Sequence, residues 1–278
     1  MKAKPARLNR LILVLCLIWL FDVPLRAQTN AAAGGSSDDQ MSDIAKKLQN
    51  PVANLISVPF QNNFDFGGGP NNTGFQYQLK FQPVIPITLC TNWNLITRTI
   101  VPYVYQHDRI GTSVQSGLQD TTLSLFLSPK NSGALTWGIG PDLYFPTATE
   151  NALGADKWGA GPTVVALVQK HGWTYGALVD QIWSYAGDEN RSRLSFVFMQ
   201  PFLTYTTKKH TTFGVNSEST YDWVADQWTV PLNGFVQQLV KIGKLPVQFQ
   251  FGGRYYSNKP DQGPNWGLRF TITLVLPK

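Results

Sequence analysis

The sequence is poor in cysteine, in charge and in long apolar stretches. Its two cysteines are Cys16, within an N-terminal leader, and Cys90, so the rest of the chain can form neither an internal disulfide nor a thiolate zinc site. Charged residues make up 14% of the chain, a low share for a soluble domain. Beyond the leader no apolar run approaches the ~18 residues of a membrane-spanning helix. These absences exclude a redox pair and disfavour a soluble domain or a helical membrane protein.

The N-terminus has the pattern of a secretory signal. Basic residues precede the apolar run 11–21, and residues 25–27 (Leu-Arg-Ala) offer a cleavage site that leaves Gln28 first. A lipoprotein signal at Cys16 is the alternative, although Leu15 stands where lipoprotein processing needs a small residue. Removal of residues 1–27 takes away five basic residues and one acidic residue, so the net charge falls from +6 to +2. We therefore expect export and no nucleic-acid partner.

Apolar and polar residues alternate in many segments after residue 53. In 75–81 and 135–145, for example, every second residue is apolar and those between are polar or small. Successive side chains of a strand point to opposite faces, so each segment is a strand with one apolar and one polar face. The sequence predicts twelve strands: 53–65, 74–86, 93–106, 117–128, 134–146, 158–170, 172–186, 192–206, 210–222, 227–241, 244–257 and 264–276.

This pattern predicts an all-β protein, a single closed antiparallel transmembrane barrel whose apolar face meets outer-membrane lipid. Short connections alternate with longer, Gly-, Asn- and Asp-rich loops, as expected when both termini are periplasmic. The ninth strand is polar, which leaves a ten-strand count open. The final strand alternates to its end and is typical of the signal that the barrel-assembly machinery reads, although the chain ends in Pro277-Lys278 instead of an aromatic residue.

Tryptophans lie near strand ends. An indole combines a large apolar surface with one polar N–H, so it favours the boundary between lipid headgroups and acyl chains. We expect seven of them to form membrane-interface girdles: Trp93, Trp137, Trp158, Trp173, Trp183, Trp228 and Trp266.

Charged residues inside the predicted strands should all face the lumen, because a charge facing lipid at mid-bilayer costs about 2–4 kcal/mol. The predicted lumen-lining residues are balanced in sign: Lys80, Arg98, Asp120, Asp142, Asp180, Glu218, Arg254 and Arg269. They either stiffen the interior through ion pairs or set the constriction of a channel. Glycines on the same face favour open space or mark bends: Gly138, Gly140, Gly159, Gly161 and Gly176.

The domain organisation follows from these patterns. We expect a signal peptide at 1–27, a linker with a short helix at 28–50 and the barrel at 51–278. The helix is predicted over 42–49, ended by Pro51. It is either a plug in the periplasmic mouth or, the favoured interpretation, part of a disordered leader.

Catalysis, cofactors and metals are not expected. The three histidines fall in predicted connections, His107 in an outer loop and His171 and His210 in short turns, without a neighbouring nucleophile. No cluster of His, Asp or Glu has ligand spacing.

Several blocks together resemble a known family. They are NPVANLISVPFQNNFDFG (50–67), FQPVIPITL with NWNLITRTIVP (81–102), GLQDTTLSLFLSP (117–129), KWGAGPTVVAL (157–167), WTVP (228–231) and WGLRF (266–270). They resemble the outer-membrane barrels named after the meta-cleavage pathway of phenol degradation. The resemblance covers 50–278 and implies uptake or export of small, often aromatic or apolar molecules, without defined binding residues.

Two functional hypotheses follow. The first is a passive outer-membrane channel for small hydrophobic or aromatic solutes. The second is a closed structural or interaction barrel that displays its outer loops to a partner.

Overall fold

The computed structural model describes residues 37–111 and 113–277. The expected signal peptide and most of the linker lie outside the described residues. Helix α1 (Ser37–Lys47) comes first, and a short 3-10 helix (Asn151–Leu153) lies in a loop. The strand segments are β1 (Ile56–Phe66), β2 (Phe75–Phe81), β3 (Val84–Thr88), β4 (Trp93–His107), β5 (Val114–Leu118), β6 (Thr121–Pro129), β7 (Leu135–Phe145), β8 (Lys157–Lys170), β9 (Trp173–Gly187), β10 (Ser195–Thr206), β11 (Thr211–Ser217), β12 (Ser219–Asp222), β13 (Gln227–Ile242), β14 (Leu245–Asn258) and β15 (Trp266–Leu276).

The fifteen segments form twelve antiparallel strands closed into a ring. Three strands are interrupted: β2 and β3 both pair with β1 and β4, β5 and β6 both pair with β4, and β11 and β12 both pair with β10 and β13. The ring closes where β1 pairs with β15 through eleven residue pairs, from Ile56–Leu276 to Phe66–Trp266. The predicted twelve-stranded closed barrel is confirmed, and the ten-strand alternative is wrong.

Burial alternates along the strands as the sequence pattern requires. In β15 every second residue from Gly267 to Val275 is buried while those between face outward. The thin apolar stripe of the ninth strand also faces outward, since Phe213 and Val215 are both more than half exposed. Because the ring is closed, each strand forms backbone hydrogen bonds with a neighbour on either side and no edge is left open.

The two ends of the barrel differ. The five short turns that follow β3, β6, β8, β10 and β13 lie at one end, and α1 lies at the same end. The connections that follow β1, β4, β7, β9, β12 and β14 lie at the other end. All but the four-residue turn after β12 are longer, and the longest joins β7 to β8. Among the described residues, none of the helices combines the length and the apolar character that crossing a membrane requires.

Candidate functional site

The N-terminal segment enters the short-turn mouth of the barrel. Ala45 of α1 is fully buried, and Gln49 is 8% exposed, with Nε2 donating to Gln237 Oε1 at 2.9 Å. At the rim, Gln169 Nε2 donates to the carbonyl oxygen of Lys46 at 2.9 Å. The interpretation as a disordered leader is therefore wrong, because α1 and the residues that follow it fill the mouth as a plug. The helix also begins earlier than predicted, at Ser37.

Val52 continues the plug into an apolar cluster inside the lumen. It is 5% exposed and packs with buried residues from four strands of one side of the barrel: Ile96, Phe126, Val165, Leu167 and Leu178. The sequence analysis, which searched the inner face for charges, did not identify this cluster. The signal was present, since all five occupy the inward positions of their strands.

The lumen-facing glycines mark close packing and not open space. A Cβ atom added to Gly138 would lie 3.1 Å from both Val52 Cγ1 and Phe126 Cβ, so this glycine makes room for the plug. At Gly140, Gly161 and Gly176 an added Cβ would instead meet a backbone carbonyl oxygen within 2.3 Å. The expectation that these glycines leave the lumen open is wrong, because their missing side chains let neighbouring backbones and the plug approach.

A buried ion network crosses the lumen beyond the plug. Arg269 makes a two-pronged contact with Glu218, at 2.7 and 2.8 Å, from three strands away around the ring. Arg254 lies 3.5 Å from Glu218 and 3.4 Å from Asp65. All four side chains are at most 11% exposed. Asp65 was not among the predicted residues, although it stands at an inward position of β1 next to the buried Asn63.

Of the remaining strand charges, Arg98, Asp142 and Asp180 lie on β4, β7 and β9, away from the strands of the network, while Lys80 lies on β2 next to the network strand β1. Arg98 donates to Gln82 Oε1 at 3.2 Å, and Asp142 accepts a hydrogen bond from Ser124 Oγ at 2.9 Å. Asp180 is 8% exposed on the inner face of β9. Lys80 occupies an inward position of β2, opposite Gln61 of β1. No ion pair within 4.0 Å is found for these four charges among residues 37–111 and 113–277, unlike those of the Glu218 network.

Asp120 holds a loop in place at the long-loop end. Its carboxylate accepts hydrogen bonds from the backbone N–H groups of Ala148 and Ala155, at 3.1 and 2.6 Å, and from the Tyr144 hydroxyl at 3.0 Å. The loop thereby folds inward, and Leu153 packs against buried Val104. Asp120 therefore fixes residues 146–156 across the outer mouth and does not line open lumen.

Arg191, in the next loop, also binds this segment. Its guanidinium donates to the carbonyl oxygen of Asn151 at 3.0 Å and also to that of Gly154. The inward loop is thus held by two side chains from other segments, Asp120 and Arg191, at the long-loop mouth.

A cavity of about 220 Å³ lies between the plug and the ion network. Its apolar walls include Val84, Phe202 and Phe235, while Arg98 and Glu218 line its inner end. Three buried polar atoms on its walls have no hydrogen-bond partner among the described residues: Thr204 Oγ1, Gln248 Nε2 and Thr271 Oγ1. We call this cavity the lumen chamber. It presents apolar contact, hydrogen-bonding groups and one cation that has no direct ion pair.

The tryptophans of the expected girdles lie at or near strand ends. At the short-turn end, Trp93 packs edge-on against Trp137 and Trp173 packs on Tyr205. At the long-loop end, Trp158, Trp228 and Trp266 each pack against another aromatic ring, and Trp183 is half exposed. Their contact with lipid boundaries stays a prediction.

The histidines do not form a hydrolytic site in the described part of the chain. His210 Nε2 lies 3.0 Å from Ser42 Oγ and 3.5 Å from Asp38 Oδ1. Both partners meet the same ring nitrogen, whereas a serine–histidine–aspartate relay needs one partner on each nitrogen. His107 contacts the adjacent Asp108 and the ring of Phe75, neither of which is a nucleophile, and His171 lies exposed in its turn. Within residues 37–111 and 113–277, no group of three His, Cys, Asp or Glu residues is arranged to hold a metal ion.

Comparisons with known proteins agree with this architecture. No curated protein matches the chain in sequence. Among solved structures, an outer membrane channel from Pseudomonas putida F1 superposes with a TM-score of 0.61 at 16% identity, covering 80% of this chain and 94% of that one. The NanC porin gives a TM-score of 0.49 at 10% identity, covering 80% and 100%. Outer membrane phospholipase A from Escherichia coli gives 0.43 at 10% identity, covering 84% and 98%.

The first of these similarities establishes the fold, that of an outer-membrane-type barrel. A protein family described as "Putative MetA-pathway of phenol degradation" matches residues 61–278, which include almost the whole barrel. The match extends from the middle of β1 through the ion network to the last strand. The chain therefore belongs to this family.

Proposed function

We propose that the protein is an outer-membrane channel that passes small hydrophobic or aromatic solutes by passive diffusion. After export and insertion with the help of the barrel-assembly machinery, its apolar face contacts outer-membrane lipid. The solute enters the lumen chamber, and its passage requires movement of the plug at one mouth and of the loop 146–156 at the other. The proposal includes no catalytic step and no cofactor.

The composition of the lumen chamber carries this proposal. A porin for hydrophilic solutes has a water-filled, polar lumen. Most residues that line this chamber are also polar, but Val84, Phe202 and Phe235 form an apolar patch on its wall beside the buried cluster around Val52. A small aromatic solute can pack its ring on this patch while polar groups on the wall fix its orientation. Gln200 and Gln250, which line the chamber, provide such groups. At about 220 Å³ the chamber suits a molecule smaller than those in typical pockets of roughly 300–1,000 Å³.

The closed structural barrel is the second candidate. It is favoured by the two closures, since the plug and the inward loop each obstruct one mouth. In that case the outer loops would be the functional surface, and the lumen would serve only to stiffen the barrel.

Ion selectivity in planar bilayers distinguishes the candidates. In a channel, Arg98→Ala removes a positive charge beside the lumen chamber and should increase the permeability to cations relative to anions, read from the reversal potential in a salt gradient. Asp142→Ala should change this ratio in the opposite direction, in favour of anions. Ile139→Ala is the control, because Ile139 lies on the same strand as Asp142 and is half exposed on the outer face. Flux into liposomes of benzenesulfonate, a monocyclic aromatic whose permanent charge prevents it from crossing lipid unaided, should accompany the conductance. A silent bilayer together with absent flux would refute the channel and support the closed barrel.

A further inference from the structure

The turns at the short-turn end of the barrel carry lysines but no acidic residues. Six lysines stand in or next to the five short turns: Lys130, Lys170, Lys208, Lys209, Lys241 and Lys244. Residues 89–92, 130–134, 171–172, 207–210 and 243–244 contain no aspartate or glutamate. At the other end acidic residues outnumber basic ones. The acidic residues there are Asp108, Glu150, Asp156, Asp188, Glu189, Asp222, Asp226 and Asp261. The barrel is therefore polar along its axis. At the plugged end α1 adds Asp38, Asp39 and Asp43 as well as Lys46 and Lys47, so positive charge still exceeds negative charge and the rim is cationic.

One pocket in this rim brings three of the cationic side chains together. It has a volume of about 230 Å³ and lies where α1 meets two neighbouring turns, with Lys46, Lys170 and Lys208 among its lining residues. All three lysines are exposed, and none of them forms an ion pair with another described residue. Three ammonium groups surround one pocket whose lining contains no carboxylate. They make a site for an anion with several oxygen atoms that accept hydrogen bonds.

The pocket also offers a directed hydroxyl donor. Thr207 lines it, and the Thr207 Oγ1 atom accepts a hydrogen bond from the backbone N–H of Thr211 at 3.2 Å. Because that oxygen already accepts, its own hydrogen remains available to donate into the pocket. Phosphate oxygens are strong acceptors that suit a combination of ammonium and hydroxyl donors.

The lipid-facing neighbours of the pocket indicate the source of the phosphate. Trp173 contributes to the pocket and packs at a tilt against Tyr205, with ring centroids 4.9 Å apart, and both rings are exposed on the outer face of the wall. Paired aromatic rings of this kind mark the headgroup level of a bilayer. A pocket of about 230 Å³ takes a headgroup but not acyl chains, which can instead follow the wall beside Trp173.

We propose that the pocket between Lys46, Lys170 and Lys208 binds the phosphate of a glycerophospholipid headgroup in the periplasmic leaflet, with preference for an anionic lipid. The occupant is an annular lipid and not a transported solute, so the proposal does not depend on what passes through the lumen chamber. Since Lys46 belongs to α1, a bound headgroup bridges the plug and the barrel wall and holds the plug in its seat.

Native mass spectrometry of the full-length protein in detergent tests this site, with phosphatidylglycerol and phosphatidylcholine of equal chain length as probes. The wild type should retain phosphatidylglycerol preferentially. Lys170→Gln with Lys208→Gln should weaken that binding about 30-fold, because each lysine near an anionic headgroup contributes about a factor of five. Lys241→Gln with Lys244→Gln is the matched control, since it removes the same charge from the same rim outside the pocket and should change binding less than threefold. Lys208→Gln alone, with an intermediate loss, serves if the double variant fails to fold.

Three results would overturn the proposal. Equal loss in both double variants would mean a diffuse cationic rim without a site. Equal retention of the two lipids by the wild type would remove the anionic preference. Displacement of phosphatidylglycerol by an equal concentration of inorganic phosphate would assign the pocket to free phosphate.

Discussion

The seating of the plug can be tested through Val52, whose side chain is the only plug residue in the apolar cluster of the described lumen. Val52→Ala removes two methyl-sized groups from a site that is 5% exposed, which at ~0.8 kcal/mol per group is about 1.6 kcal/mol. Since 1.4 kcal/mol is a factor of ten in an equilibrium, the unseated fraction should rise about 15-fold.

Thiol labelling measures that fraction directly. In a Cys90→Ser background, a cysteine at Ala45, which is fully buried in the seated plug, reacts with maleimide only when the plug lifts. When lifting and reseating are fast relative to labelling, the rate follows the unseated population. Val52→Ala should therefore speed labelling about 15-fold, whereas Val164→Ala, the same change on the lipid face, should leave it unchanged. Equal rates in the two variants would show that the apolar cluster does not hold the plug.

Two further predictions concern the stability of the barrel. Glu218→Gln leaves Arg269 buried without its carboxylate and should lower the free energy of unfolding by about 3–5 kcal/mol, read from urea transitions in micelles, while Glu189→Gln in an exposed loop should change it by less than about 0.5 kcal/mol. A loss below about 1 kcal/mol at Glu218 would show that the network contributes little. Gly161→Ala should prevent formation of the heat-modifiable folded band on gels, because the added methyl meets a backbone carbonyl oxygen at 1.6 Å; Gly234→Ala, whose Cβ meets nothing within 4 Å, should fold normally, and equal folding of both would contradict the close-packing argument.

The strands were predictable because the side chains alternate between the outer and the inner face of the wall with a period of two residues. The last strand, predicted over 264–276, is observed as Trp266–Leu276, since its outward and lumen-facing residues alternate to the end. The first strand, predicted over 53–65, begins only at Ile56. Val52 and Ala53 are apolar because they are buried inside the lumen. An apolar residue has the same signature whether it meets acyl chains or a plug cavity, so the pattern could not separate the two.

The candidate site was less predictable because its partners are distant in sequence. Asp65 is recognisable as a network member only once Arg254 is known to lie 3.4 Å away. The residues around Asp65 in the sequence do not indicate a partner so distant along the chain. The interruptions of three strands were also hidden, and each falls on a polar inward residue with a specific partner: Gln82, Asp120 and Glu218. At these positions side-chain contacts take precedence over regular strand geometry.

The seam between β1 and β15 has a consequence for how this protein matures. Its eleven residue pairs join the beginning of the barrel sequence to its end, so the ring cannot be completed before the last strand, β15, has been made. Contacts so distant along the chain form slowly. During that interval the growing sheet has two unpaired edge strands, and each can form hydrogen bonds with another chain. Both edges become paired when β1 joins β15, from Ile56–Leu276 onward.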